Sequence, residues 1–186
     1  MELEEVEDME NMSECPTEIL EYALTLERDG YDFYCEASKK VANPIGKQML
    51  EWLAREETEH IKKLSRALHS LKAEGKLVCS EEDLAGHDAV RFKTFFSQAT
   101  EKVKSMIPAE ADDLRALETA MDMENRGYAF YTKSKEEMTS SEGRALLESL
   151  ARDESAHYDA LQNTYTYLKT PDLWYAWEEG HMYEGG

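Results

Sequence analysis

Residues 21–60 read EYALTLERDGYDFYCEASKKVANPIGKQMLEWLAREETEH, and residues 118–157 read ETAMDMENRGYAFYTKSKEEMTSSEGRALLESLARDESAH. The two stretches align without a gap at a shift of 97 residues, and 15 of the 40 positions are identical. The shift superposes Glu27 on Glu124, Gly30 on Gly127, Tyr31 on Tyr128, Phe33 on Phe130 and Tyr34 on Tyr131. It also places Leu53-Ala54-Arg55 on Leu150-Ala151-Arg152, Glu57 on Glu154 and His60 on His157. A self-match of fixed period decides the architecture before any single residue is interpreted: two copies of one helical hairpin.

Working outward from the repeat, Ile19, Leu20, Ala23, Leu24, Glu27, Tyr31 and Tyr34 recur at three and four residues, one face of a helix from Pro16-Thr17 to about Val41. Asn43-Pro44 is expected to end it. A second helix is expected from about Ile45 to Leu71, with Met49, Leu50, Leu53, Glu57, His60, Ile61, Leu64 and Leu68 as its inward stripe and Gly75 closing it. The second hairpin repeats this as about Ala111 to Met138 and Ser141 to Leu168, with Ser140-Ser141 as the turn and Pro171 as the stop. Between the hairpins, Lys72 to Ala109 is too long for a turn. With Ser80-Glu81-Glu82-Asp83 as a helix start and Phe92, Phe95, Phe96, Val103 and Ile107 as apolar anchors, it reads as a crossover carrying its own helix. The expected fold is therefore all-α, a four-helix bundle of two duplicated hairpins joined by a long crossover.

The 186 residues suffice for one domain with a sizeable core. The bundle is expected over 16–170, flanked by an arm at 1–15 and a tail at 171–186. Residues 1 to 14 hold seven acids and no base, a composition that cannot bury enough apolar surface to order itself. The tail carries Trp174, Tyr175, Trp177 and Tyr183, enough aromatic surface to predict packing on the bundle or on a second subunit. No apolar run approaches the ~20 residues of a membrane span, and the acidic start is unlike a secretory signal, so a cytoplasmic protein with no membrane partner is expected. A net charge of −19 argues against nucleic acid as a partner. Cys15, Cys35 and Cys79 form no CxxC pair and read as reduced thiols. His69, His87 and His181 have no counterpart in the repeat and read as surface residues.

The chemistry lies in the inward stripes. A Glu and a His three residues apart on a helix reach the same point, so Glu57/His60 and Glu154/His157 are each a two-toothed metal clamp. Glu27 and Glu124 stand among apolar residues on the partner helices, where an unpaired carboxylate is costly to bury. Four carboxylates balance two divalent cations, and oxygen donors with two imidazoles suit iron or manganese better than magnesium or structural zinc. One Glu-x-x-His would be weak; two copies, each following an isolated Glu, point to a symmetric di-metal carboxylate site. The competing reading is a bundle whose Glu–His pairs are buried hydrogen bonds without metal.

This doubled Glu…Glu-x-x-His pattern, over about Thr17 to Leu168, resembles the ferritin-like superfamily, and within it the rubrerythrin and bacterioferritin branches. The resemblance implies a ferritin-like bundle in which Glu57 and Glu154 bridge two metals, Glu27 and Glu124 are terminal ligands, and His60 and His157 give each metal a nitrogen. It also implies that Tyr34 and Tyr131 hydrogen-bond the ligating carboxylates and quench radicals. From the residues alone, a tyrosine on an apolar face is equally core. Three departures stand out. The carboxylate that serves peroxidase rubrerythrins as a seventh ligand falls on Gly127, whose twin is Gly30; the pair either leaves space for peroxide or dioxygen or allows close helix packing. The rubredoxin domain of the full rubrerythrins has no counterpart, so electrons are expected from an external donor. Thr58 stands where bacterioferritins place a haem-binding methionine, so no haem is expected.

The resemblance implies a di-iron oxidoreductase that reduces hydrogen peroxide or dioxygen, with two iron ions, or manganese, as cofactor. The alternatives are a ferritin-like or bacterioferritin-like ferroxidase or iron-storage protein, and a module that delivers or senses iron without turnover. A small assembly, a homodimer, is expected, because shell-forming ferritins continue into a fifth helix and this tail has Pro171 and ends Gly185-Gly186.

Overall fold

The computed structural model describes residues 15–84 and 110–170, and every regular element among them is an α-helix. In chain order these are α1 (Pro16–Lys40), α2 (Pro44–Glu74), α3 (Glu81–Leu84), α4 (Ala111–Glu137) and α5 (Ser141–Lys169). The acidic arm, the phenylalanines expected to anchor the crossover, Pro171 and the aromatic tail lie outside the described residues. None of the described helices is long and apolar enough to cross a membrane.

Local chemistry sets the helix ends. Pro16 opens α1 in the first turn, where its missing N–H forfeits no hydrogen bond. The sequence reading stops the first helix at Asn43-Pro44, but that pair opens α2 instead. α1 has already ended at Lys40, with the Val41 N–H donating to Ala37 O. The Asn43 side chain accepts from the Ile45 and Gly46 N–H groups at 2.9 and 3.3 Å, and Pro44 takes the first helical turn. Ser140 repeats the device on α5 by accepting from the Gly143 N–H at 3.0 Å. Gly75 closes α2 with φ 66°, a left-handed cap that glycine adopts without steric cost. Asp113, buried in the first turn of α4, accepts from the backbone N–H groups of Ala42, Asn43 and Glu110. One carboxylate thus ties the first hairpin turn to the start of the second hairpin.

The apolar residues gather into two layers with a polar level between them. α1 runs from Ile19, Leu20 and Leu24 in one layer, past Glu27 and Gly30, to Tyr34, Ala37 and the following Val41 in the other. α2 runs the opposite way, from Met49, Leu50 and Leu53 past Glu57 and His60 to Leu64 and Ala67. α4 passes from Leu117 and Ala120 through Glu124 to Phe130 and Tyr131, and α5 from Leu146, Leu147 and Leu150 through Glu154 and His157 to Ala160 and Leu161. α1 is therefore antiparallel to α2 and α4, while α2 and α4 run the same way. The end of α2 and the start of α4 therefore lie at opposite ends of the bundle, about 40 Å apart at ~1.5 Å per residue, a separation no short turn spans. This is the physical reason for the long connection.

One residue expected on the α1 stripe is displaced from it. Gly30 is buried, whereas Tyr31, about 100° further round the helix, lies at the rim of the stripe and is 38% exposed. Its twin Tyr128 is 45% exposed. Identity in both copies therefore does not mean burial. Cys35 and Cys79 are half-buried, Cys15 and His69 are exposed, and the three thiols are free.

Candidate metal centre

Between the two apolar layers, each of the four long helices contributes to one buried cluster. Glu27 (α1), Glu57 and His60 (α2) and Glu154 (α5) form one group, and Glu57, Glu124 (α4), Glu154 and His157 form a second; within each, one ligand atom per residue lies within 4.8 Å of the others. Glu57 and Glu154 belong to both groups, the placement that bridging two cations needs. Nδ1 of His60 lies 3.2 Å from Glu27, 3.4 Å from Glu154 and 3.5 Å from Glu57. Nδ1 of His157 lies 3.3 Å from Glu124 and 3.8 Å from Glu154. All six residues are at most 4% exposed.

Packing carboxylates and imidazoles into so little water perturbs Glu57, Glu124, Glu154 and both histidines. Burial, and then repulsion from Glu27, pushes the Glu57 carboxyl well above its ordinary range. Burial and the neighbouring Glu154 charge raise Glu124 to about 8. Burial would also raise Glu154, but hydrogen bonds with Glu124, His157 and His60 outweigh it and hold that carboxylate below the usual range. Burial opposes the charged form of both imidazoles. The attraction of Glu27 nevertheless lifts His60 well above its ordinary value, and that of Glu124 lifts His157 to about 10. Without a cation, then, the cluster holds itself together with protons.

The residues fit a metal pair. Glu57 Oε2 is buried without a hydrogen-bond partner, a costly arrangement that a bound cation would relieve. The donor set of carboxylates and imidazoles is hard to borderline, suited to iron, manganese or zinc. Glu57 and Glu154 would be shared, with Glu27 and His60 on one side and Glu124 and His157 on the other.

Tyr34 and Tyr131 are both 1% exposed, and each reaches the opposite hairpin. Tyr34 Oη donates to Glu124 Oε1 at 2.5 Å, and Tyr131 Oη donates to Glu27 Oε1. Burial, reinforced by the carboxylate charges, raises both phenols well above their ordinary value, so they remain donors. The crossed bonds bind the two hairpins through the site itself. The tyrosines also belong to the two apolar layers, so the core reading and the hydrogen-bonding reading hold together.

Four buried or half-buried residues beside the site were not picked out from the sequence. Asp153 Oδ2 lies 3.4 Å from His60 Nε2 and accepts from Lys63 Nζ at 3.3 Å. Trp52 stands edge-on to the His157 ring, with centroids 5.2 Å apart at 86°. Glu56, the repeat equivalent of Asp153, is 6% exposed. Lys63 did leave a trace, since it stands three residues beyond His60 on an otherwise apolar stripe. The acid preceding Glu57 and Glu154 in both copies was another.

Gly30 and Gly127 line a cavity of about 280 Å³ that opens from the carboxylates between α1 and α4. Each also stands directly against a shared carboxylate. A Cβ on Gly30 would lie 3.6 Å from Glu57 Cδ, an ordinary contact, but one on Gly127 would lie 3.3 Å from Glu154 Cδ. The tight neighbours are thus glutamate side chains. Gly30→Ala should therefore stabilise the metal-free protein by up to about 1 kcal/mol through helix propensity. Gly127→Ala should displace Glu154 and weaken metal binding on the order of tenfold, the scale of a disturbed ligand support. Thermal unfolding and metal titration of the two variants check this; equal metal affinities would contradict it.

The model of the family described as Rubrerythrin matches residues 18–165. A solved structure of a hypothetical protein from Pyrococcus furiosus superposes with a TM-score of 0.60 at 24% identity, covering 86% of this chain and 94% of that one. At that identity the likeness speaks to the fold alone. No curated protein matches the chain.

Proposed function

The chain belongs to the rubrerythrin family, and from that membership we propose that it is a di-iron oxidoreductase that reduces hydrogen peroxide or dioxygen with electrons from an external donor. The observation that carries the reading is the pair of overlapping Glu/His groups with Glu57 and Glu154 in common, open on one side to the cavity beside Gly30 and Gly127. Two ferrous ions held there would supply the two electrons that turn one peroxide and two protons into two waters. The chain's own residues do the rest. The apolar layers above and below keep bulk water from the carboxylates, so charge interactions there are strong. Tyr34 and Tyr131 hold protons against Glu124 and Glu27 and fix the orientation of both. The cavity of about 280 Å³ admits a small oxidant beside the shared carboxylates. Gly127 leaves the site without a carboxylate as seventh ligand, so the six residues already gathered must serve every oxidation state.

The test is anaerobic loading with ferrous iron, followed by stopped-flow mixing with peroxide and, separately, with dioxygen. Two irons per chain oxidised much faster by peroxide is the expected result. Faster reaction with dioxygen, with iron uptake continuing far beyond two per chain, would replace this reading with ferroxidase and storage activity. Failure to retain two metals would remove the site.

A further inference from the structure

The duplication makes the six ligand positions equivalent, but it fails around the two histidines. Counting from each histidine, the residue eight before is Trp52 in one copy and Ser149 in the other, the residue four before is Glu56 or Asp153, and the residue three after is Lys63 or Ala160. Of these, Glu56, Asp153, Lys63, Ser149 and Ala160 are all buried, and Trp52 is half-buried. The contacts cross between hairpins, so His60 meets Asp153 from α5 and His157 meets Trp52 from α2.

From this broken symmetry we propose that the two metal positions are inequivalent: the position served by His60 is tight and fills first, and the one served by His157 is looser and exchanges. Lys63 and Asp153 are the positioning residues. The inference rests on the metal-binding reading above, though not on any particular reaction.

Two observations set the order. Around His60 Nδ1, oxygens of three carboxylates already lie within 3.5 Å, whereas around His157 Nδ1 the two closest carboxylates lie at 3.3 and 3.8 Å. Less rearrangement is needed to close the first group on an ion. The second observation is the far edge of the His60 ring. With Nδ1 turned to an ion held among the carboxylates, the ring proton would sit on Nε2, 3.4 Å from Asp153 Oδ2. A carboxylate at that edge fixes the tautomer and makes the imidazole a better donor. Lys63, 4% exposed, holds Asp153 in place and supplies its counter-charge, so the pair adds no net charge beside the ion. At His157 the place of the lysine is taken by alanine, and the residue packed on the ring is an indole, which accepts no proton in plane.

The test is calorimetric titration of the full chain with Co²⁺, comparing wild type, His60→Ala, His157→Ala and the double variant Lys63→Met/Asp153→Asn. The double variant removes both partners together, because a lone buried charge would endanger folding. His157→Ala should bind one ion with the affinity of the wild-type first step. His60→Ala should bind its one ion about 10–100-fold more weakly, the usual scale for loss of support to a ligating histidine. The double variant should lower the first step by a similar factor and leave the second within about threefold. Thermal unfolding of the metal-free variants separates this loss from a general loss of stability. Equal affinities in the two histidine variants, or tighter binding in His60→Ala, would overturn the proposal while leaving the di-metal reading intact. If wild type bound no ion, the di-metal reading itself would fall.

Discussion

Glu154→Gln and Glu57→Gln are each expected to abolish retention of both metals, whereas Glu27→Gln and Glu124→Gln each leave one. The difference follows from membership. Glu57 and Glu154 contribute an oxygen to both ligand groups, Glu27 only to the group of His60, and Glu124 only to that of His157. Charge acts in the same direction. Four carboxylates neutralise two divalent cations, and removing a shared one leaves both ions facing a positive excess in a buried space, where electrostatic energies are large. Gln preserves volume and hydrogen bonding, so the loss cannot be assigned to a cavity. The measurement is metal content per chain after anaerobic loading and desalting, with far-ultraviolet circular dichroism to confirm that each variant remains helical. If Glu154→Gln retained one ion as firmly as Glu27→Gln does, Glu154 would not be shared and the assignment of the two groups would be wrong.

Much of this arrangement was legible in the sequence because duplication doubles every signal. The stripes of Leu20, Leu24, Leu50 and Leu53 announce the helices, and a carboxylate recurring inside such a stripe has few explanations other than a cation. Three features were not legible, each for a physical reason. Asn43-Pro44 reads equally as a stop or a start, and only the Asn43 side chain accepting from Ile45 and Gly46 decides for the start of α2. The crossed bonds of Tyr34 to Glu124 and Tyr131 to Glu27 depend on how the hairpins face one another, which no periodicity within a hairpin encodes. The Lys63–Asp153 pair joins residues 90 positions apart, and it appears where the copies differ, the places a search for repeats passes over.

The second large effect concerns pH. Bound metal is expected to raise the melting temperature on the order of 8–16 °C at neutral pH, since an ion present at 1,000 times its Kd stabilises by about 4 kcal/mol and each kcal/mol moves the midpoint by about 2–4 °C in a chain of this size. The gap should widen as pH rises. In the metal-free protein Glu124 is raised to about 8 and His157 to about 10, and Glu57 and His60 are raised as well. A group whose folded pKa is raised contributes stability that is complete below its unfolded value and lost as pH climbs through its folded one. For Glu124 the loss therefore runs from the ordinary carboxylate range to about 8, and for His157 from the ordinary imidazole range to about 10. Glu154, held low, keeps its contribution throughout this window and loses it only as pH falls well into the acid range. Metal ligation requires the same groups without their protons, so each proton expelled strengthens binding about tenfold per pH unit until its pKa is passed. Thermal unfolding of chelator-treated and Mn²⁺-loaded protein between about pH 5.5 and 9 reads both trends at once. The metal-free midpoint should fall with rising pH while the difference between the two samples grows, and a difference that stayed constant would mean that protons and metal do not compete for Glu57, His60, Glu124 and His157.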